Sequence, residues 1–237
     1  MLPRHVRLLD RLLRHHLPLL CLTGGSIAVL DITRPYRDPI SRASFATAYP
    51  ALVLLLMTLL LGPWNVLRRK RNPVSSDLRR DVGIWAGVVG IAHSVIGQMV
   101  HLRGRPWLYY VYEHKARHVV PFRHDLFGSA NFTGLGGALV LIALLATSND
   151  YSLRALGTPR WKQLQRWNYA AFALAAAHTL AYQTSEKQPM PLIASFVGCT
   201  GLTILVQAEG FRCRRLERAA HPELTLSQTR GEREHRH

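Results

Sequence analysis

Six apolar segments, each close in length to a membrane-spanning helix, dominate this sequence. They cover residues 17–32, 50–67, 82–102, 127–147, 167–182 and 191–208. A helix that crosses the hydrocarbon core of a bilayer needs about 20 predominantly apolar residues, and about 17 is the short limit. The sequence therefore predicts an all-α membrane protein in which residues 17–208 form a bundle of six transmembrane helices.

The basic residues are concentrated in alternate connections between these segments. The chain has 30 Lys and Arg against 14 Asp and Glu, and most of the basic residues lie in residues 1–16, 66–81, 148–166 and 209–237. Connections rich in Lys and Arg stay on the cytoplasmic side of a membrane. The pattern predicts a multi-pass protein of the inner (plasma) membrane with both termini in the cytoplasm.

The same charge distribution argues against nucleic acid as a partner, because the basic residues flank apolar segments as topology signals do. It identifies the lipid bilayer as the main partner. Residues 1–16 are predicted to be a basic cytoplasmic lead, and residues 209–237 a basic, disordered cytoplasmic tail.

Composition also predicts the surroundings of two segments. The second segment has leucine on every face, which is typical of a helix that faces lipid. The GLGG sequence at 134–137 lies within the fourth segment and predicts close packing against a neighbouring helix. The three cysteines show no CxxC spacing, which argues against a zinc or thioredoxin-like site.

Of the twelve histidines, His93 and His178 lie well inside predicted spans, where an ionisable side chain is costly and marks a candidate functional site. They follow Arg80 and Arg166 by thirteen and twelve residues, which places both roughly 18–20 Å from a basic anchor. The third and fifth segments run in the same direction, so the two imidazoles are predicted to share one membrane level.

Two facing imidazoles with small residues around them meet the requirements of a six-coordinate b-type haem. The small residues before and after the histidines are Ala86, Gly87, Gly90, Gly97, Ala170, Ala171 and Ala173 to Ala177. We therefore predict that His93 and His178 are the axial ligands of one haem iron. The alternative is that the small residues only let helices approach closely and that each histidine forms a hydrogen bond across the bundle.

Two stretches of the chain resemble the ferric reductase-like transmembrane domain. Residues 72–101 carry an LRR…G…H entry to the third segment, and residues 134–182 carry LATSND followed by RWKxLxR…Y…H. The family includes ferric reductases, NADPH oxidases and the haem membrane subunit of periplasmic methionine-sulfoxide reductase. The resemblance implies a six-helix haem protein that transfers electrons across the membrane.

The resemblance also implies a departure from the two-haem members of the family. In those proteins the third and fifth helices each carry two histidines, and the outer pair matches His93 and His178. The inner positions fall on Arg79 and Gln165, which are not ordinary haem ligands, so the resemblance implies a single haem. Arg79, Arg80, Gln165 and Arg166 are candidate contacts for haem propionates or for a second cofactor such as a flavin; simple anchoring of the helices explains the arginines equally well.

No GxGxxG follows a strand-like run, so the sequence predicts no flavin or nicotinamide domain in this chain. An oxidoreductase of this kind needs a separate electron donor, either a cytoplasmic flavin reductase or a quinol. The family implies ferric iron or a periplasmic redox protein as the acceptor on the outer side. The competing hypothesis is a haem-free transporter or scaffold in which His93 and His178 form a buried polar contact.

Four further histidines lie toward the outer side. His101 is predicted to have a structural or interfacial role, since it points in a different direction from His93 on the same helix. His114, His118 and His124 lie in the longest connection, where solvated side chains are the more ordinary explanation than a metal or acceptor site.

Overall fold

The computed structural model describes residues 9–33, 36–68, 76–102, 104–114 and 120–220. It contains seven α-helices in this part of the chain: α1 Leu17–Thr33, α2 Pro39–Leu67, α3 Ser76–Gly97, α4 Leu126–Ala146, α5 Asp150–Gln165, α6 Asn168–Ser185 and α7 Met190–Ala220. A π-helical turn, Leu12–His16, leads into α1, and a 3₁₀ turn, Pro106–Tyr109, lies between α3 and α4. Extended pairing among the described residues is limited to an isolated bridge between Val111 and Phe122, so the all-α class is confirmed.

Four described helices are long and apolar enough to span a membrane. They are Leu9–Thr33, Pro39–Leu67, Leu126–Ala146 and Met190–Glu217. The predicted third and fifth spans correspond to α3 and α6, which carry polar residues such as Asp81 and Gln183 among their apolar ones. A multi-pass membrane protein is thus supported, whereas the count of six spans and the cytoplasmic termini stay predictions.

Side-chain caps fix where several helices begin. Asp38 precedes α2 and accepts a hydrogen bond from Ser41 N at 2.7 Å, with Pro39 at the first helical position. Asp125 caps α4 through Gly128 N at 2.7 Å. Such caps satisfy backbone N–H groups that have no partner within the helix. Because Asp38 caps the N-terminus and Pro39 favours the first helical position, α2 begins well before the predicted boundary at residue 50.

The position of α2 differs from the sequence-based expectation that it faces lipid. It packs against α1, α3 and α7, and its buried side chains include Leu54, Leu55, Leu56 and Leu59. Leucine suits a lipid neighbour and a protein neighbour equally well, so composition alone does not distinguish the two surroundings. The expectation was wrong for the side of α2 that is buried in the bundle, whereas Val53 and Met57 are exposed on its surface.

The remaining contacts close a space between four helices. α4 packs against α3 and α6, and α2 contacts both α3 and α6. One end of the bundle is called the loop end. It contains the connections 36–38 and 186–189 and the described part of 98–125. The opposite end, with Arg80 and α5, is called the basic end. The helix α5 occupies a predicted connection and is kinked at Gly157, where φ is 70°.

The termini extend the helical part beyond the predicted domain limits. Residues 9–16 are helical and continue into α1, and α7 runs past residue 208 to Ala220. The rest of the predicted lead and tail, residues 1–8 and 221–237, lies outside the described residues.

Candidate functional site

The rings of His93 and His178 meet in the interior of the bundle. His93 lies on α3 and His178 on α6, and the ring centroids are 6.2 Å apart with an angle of 72° between the ring planes. The structure therefore brings together the two histidines singled out in the sequence. Both rings line one cavity.

Each histidine is held by a backbone carbonyl from a neighbouring helix. Nδ1 of His93 lies 3.0 Å from the carbonyl oxygen of Ser44, and Nδ1 of His178 lies 2.8 Å from that of Ala130. A carbonyl oxygen can only accept, so each Nδ1 carries the proton and donates it. In a neutral imidazole of this tautomer Nε2 keeps a lone pair, which is the form that binds a metal.

Two glycines that line the cavity are in close contact with side chains of neighbouring helices. A Cβ at Gly134 would lie 2.6 Å from Nδ1 of His178, and a Cβ at Gly90 would lie 2.8 Å from Cδ1 of Leu141. No ordinary side chain tolerates contacts of this length without displacing its neighbour. The glycine at 134 lets α4 approach α6 closely enough for Ala130 to bind His178, in agreement with the close packing predicted for GLGG.

The cavity has a volume of about 270 Å³ and lies between α2, α3, α4 and α6. This is close to the lower limit of roughly 300–1,000 Å³ that is usual for small-molecule sites. Its described lining contains no Lys or Arg, and carbon-rich side chains such as Leu55, Ala86 and Leu141 form one end. The site can thus hold a largely apolar ligand that contains a metal ion, with the two neutral imidazoles as the metal-binding groups.

The candidate propionate or second-cofactor residues, Arg79, Arg80, Gln165 and Arg166, do not line this cavity. Arg79 donates from Nε to the carbonyl oxygen of Thr58 at 3.2 Å. Arg80 binds Asp150 at 2.6 Å and holds the pKa of that carboxyl below its ordinary value. Nε2 of Gln165 is buried with no partner among the described residues. These residues belong to the basic end rather than to the histidine pair.

Aromatic rings connect the histidine pair with the loop end. The ring of Tyr182 lies 4.9 Å from that of His178 and 6.4 Å from that of His101. Tyr109 lies 6.5 Å from His101 and 5.5 Å from Phe127. The predicted structural or interfacial role of His101 fits its place in this cluster.

The histidines of the long connection do not form a cluster in the described part of the chain. His114 and His124 are exposed, and His118 lies outside the described residues. Among the described residues no three His, Cys, Asp or Glu side chains come close enough to hold a metal ion.

A buried ion cluster at Asp81 was not foreseen in the sequence. The carboxylate of Asp81 is fully buried and is bound by Arg11 through two guanidinium nitrogens and by His15 at 2.7 Å. His16 lies 3.3 Å away and accepts a hydrogen bond from Trp85. The π-helical turn widens the helix so that residues four and five positions after Arg11 share its face. No local sequence pattern predicts this contact, because Arg11 and Asp81 are 70 positions apart in the chain.

Comparisons with known proteins find relatives of the same name in two Yersinia species. No protein-family model matches the chain. The chain is 30% identical over 157 residues to the protein-methionine-sulfoxide reductase heme-binding subunit MsrQ of Yersinia pseudotuberculosis serotype O:1b (strain IP 31758), covering 66% of this chain and 70% of the relative. It is also 30% identical over 157 residues to the protein of the same name from Yersinia pestis (strain Pestoides F), covering 68% of that protein.

Proposed function

The chain belongs to the family of MsrQ heme-binding subunits of protein-methionine-sulfoxide reductase, and on that premise we propose that it is a membrane electron-transfer subunit whose haem iron is bound by His93 and His178. The haem is of the b type, because the chain has no CxxCH sequence to attach the porphyrin covalently. One haem is bound per chain.

The observation that carries this proposal is the distance between the two rings. Imidazoles on opposite sides of one metal ion, each about 2 Å from it, have ring centroids roughly 6 Å apart. The centroids of His93 and His178 are 6.2 Å apart. Both rings line a cavity between four helices, so the residues present fit a haem.

A haem held in this way supplies one-electron chemistry, its iron alternating between the ferric and ferrous forms. The carbonyl groups of Ser44 and Ala130 fix the tautomer of each ligand and strengthen its basicity. His93 and His178 would both hold the iron, and a haem held by two imidazoles would supply electron transfer rather than binding of a small molecule.

The proposed direction of transfer is outward, from a donor at the cytoplasmic face to an acceptor at the loop end. Both termini and the basic end face the cytoplasm, six helices span the inner membrane, and the loop end faces outward, as the positions of Lys and Arg favour. The donor is a cytoplasmic flavin reductase or a quinol. The ring cluster of Tyr182, His101 and Tyr109 supports an exit at the loop end, where the acceptor is a periplasmic redox protein or ferric iron.

Purification in detergent from cells supplied with haem tests the proposal. The expected result is a Soret band that sharpens and shifts on reduction, with one haem b per chain by the pyridine haemochrome method. A colourless protein would favour the haem-free transporter or scaffold, in which His93 and His178 form only a polar contact. Reduction of vesicle-enclosed acceptor by an external reductant then tests transfer across the membrane.

A further inference from the structure

The cavity around the histidine pair is polar at one end only. Toward the basic end its lining is apolar, with Leu52, Leu55, Ala86, Leu141, Ala171 and Ala175. Toward the loop end it is polar, with Tyr36, Gln98, His101, Gln183, Glu186 and Gln188. The histidines lie between the two halves, so the cavity has a polar mouth at the loop end.

The haem macrocycle has the same asymmetry, because one edge carries apolar substituents and the opposite edge carries two carboxylates. Burial of a carboxylate without hydrogen-bond donors is strongly unfavourable. We propose that the two carboxylates lie at the loop end of the cavity, against Gln183 and His101, and that the apolar edge points toward the basic end. This inference rests on the proposed function and deepens it.

Hydrogen-bonding groups of the mouth support this orientation. Gln183 is only 3% exposed, and its Nε2 donates to the hydroxyl of Tyr49 at 3.3 Å. Its Oε1 has no partner among the described residues. Turning the amide by 180° places Oε1 beside the Tyr49 hydroxyl and places Nε2, with its two N–H donors, where Oε1 had no partner. Gln188 likewise donates to the hydroxyl of Tyr36 at 3.2 Å.

Charge at the mouth is balanced rather than strongly positive. Nε2 of His101 lies 3.7 Å from Oε1 of Glu186, whose side chain is 44% exposed. Glu186 repels a carboxylate and competes for His101, so the amides carry most of the binding and His101 contributes when it turns from Glu186. At the basic end Arg79 and Arg80 are already bound to Thr58 and Asp150 and do not reach the cavity lining.

Four variants of the purified holoprotein test the orientation. Gln183→Leu and His101→Gln change the mouth, whereas Arg79→Gln and Arg80→Gln change the basic end and serve as matched controls. One measurement is the propionate bending band in the resonance Raman spectrum. The other is the rate of haem transfer to excess apomyoglobin. We expect a shifted band and about tenfold faster haem loss in the mouth variants, and wild-type behaviour in the arginine variants.

An unshifted band and unchanged haem loss in both mouth variants would overturn the orientation, as would a band shift confined to the arginine variants. His101 is partly exposed, so His101→Gln keeps the test usable if Gln183→Leu fails to accumulate. Wild-type protein without a Soret band contradicts the proposed function itself. Haem bound with the opposite orientation contradicts only this inference.

Discussion

The carbonyl oxygen of Ala130 accepts a hydrogen bond from Nδ1 of His178 across 2.8 Å. This contact joins α4 to α6 at the histidine pair and fixes the tautomer of the imidazole. It depends on the absence of a side chain at Gly134, one turn further along α4, where a Cβ would lie 2.6 Å from the same nitrogen. The position of the His178 ring is thus determined by a glycine on the neighbouring helix.

Gly134→Ala is expected to displace the His178 ring and to weaken haem binding. Overpacking at such a position costs about 1–3 kcal/mol. The visible spectrum should lose low-spin character, and the haem content of the purified protein should fall. Gly136→Ala is the matched control, because its Cβ would make an ordinary 3.5 Å contact with Leu174. Equal haem content and equal spectra in the two variants would refute the role of Gly134.

Asp81→Asn is expected to release the N-terminal helix from α3. Removal of the buried carboxylate leaves Arg11 without its charge partner, and a change of this kind costs about 3–5 kcal/mol. Thermal unfolding in detergent measures the loss, and limited proteolysis should cut the chain near Arg11. The low-spin haem spectrum should persist, since the cluster does not line the cavity.

The comparison variant is Asp150→Asn, which removes a carboxylate of similar charge from an exposed ion pair with Arg80. Exposed pairs contribute at most about 1 kcal/mol. The buried cluster would be shown not to hold the N-terminal helix if the thermal unfolding midpoint of Asp81→Asn were no lower than that of Asp150→Asn.

Asp125 predicts a pH-dependent contribution to stability. The hydrogen bond from Arg123, followed by that from Gly128 N, holds the pKa of Asp125 below its ordinary value of 3.8. The ionised form therefore stabilises the fold above pH 3.8, and its contribution disappears as the pH falls through the lower pKa of the folded state. Asp125→Asn should cost about 1 kcal/mol at neutral pH, because asparagine still caps the helix.

Thermal unfolding of this variant and of the wild type, at neutral pH and at about pH 3, measures the difference. The midpoints should differ at neutral pH and converge in acid. Glu113→Gln, which removes an exposed partner of Arg105, controls for the loss of one surface charge. If the difference between the two unfolding midpoints grew in acid, the ionised carboxylate of Asp125 would not be the stabilising form.

The sequence predicted the parts of this architecture that depend on local composition and regular spacing. Each apolar segment falls largely on a helix, although the bounds of α2 and α3 differ and α5 was not predicted. Equal distance from basic anchors predicted that His93 and His178 would share a level. Their rings meet, since α3 and α6 follow the regular rise on which the prediction relied. The GLGG sequence likewise predicted a close helix contact, because glycine has no side chain to hold two helices apart.

Contacts between residues far apart in the chain could not be predicted from the spacing of residues in the sequence. Arg11 meets Asp81 because a π-helical turn alters the face of the first helix, and no local pattern predicts such a turn. The burial of α2 was missed because leucine is equally suited to lipid and protein. The arginines at 79 and 80 stay at the basic end because Thr58 and Asp150 bind them there.

The ligand assignment is tested most directly by replacing each histidine with glycine and adding imidazole. Electron paramagnetic resonance of the ferric protein reports the spin state. We expect the wild type to be low-spin, His93→Gly and His178→Gly each to lose that signal, and added imidazole to restore it in both. His124→Gly, at an exposed position of the loop end, should resemble the wild type throughout. A variant at residue 93 or 178 that keeps the full low-spin signal without imidazole would contradict the bis-histidine haem.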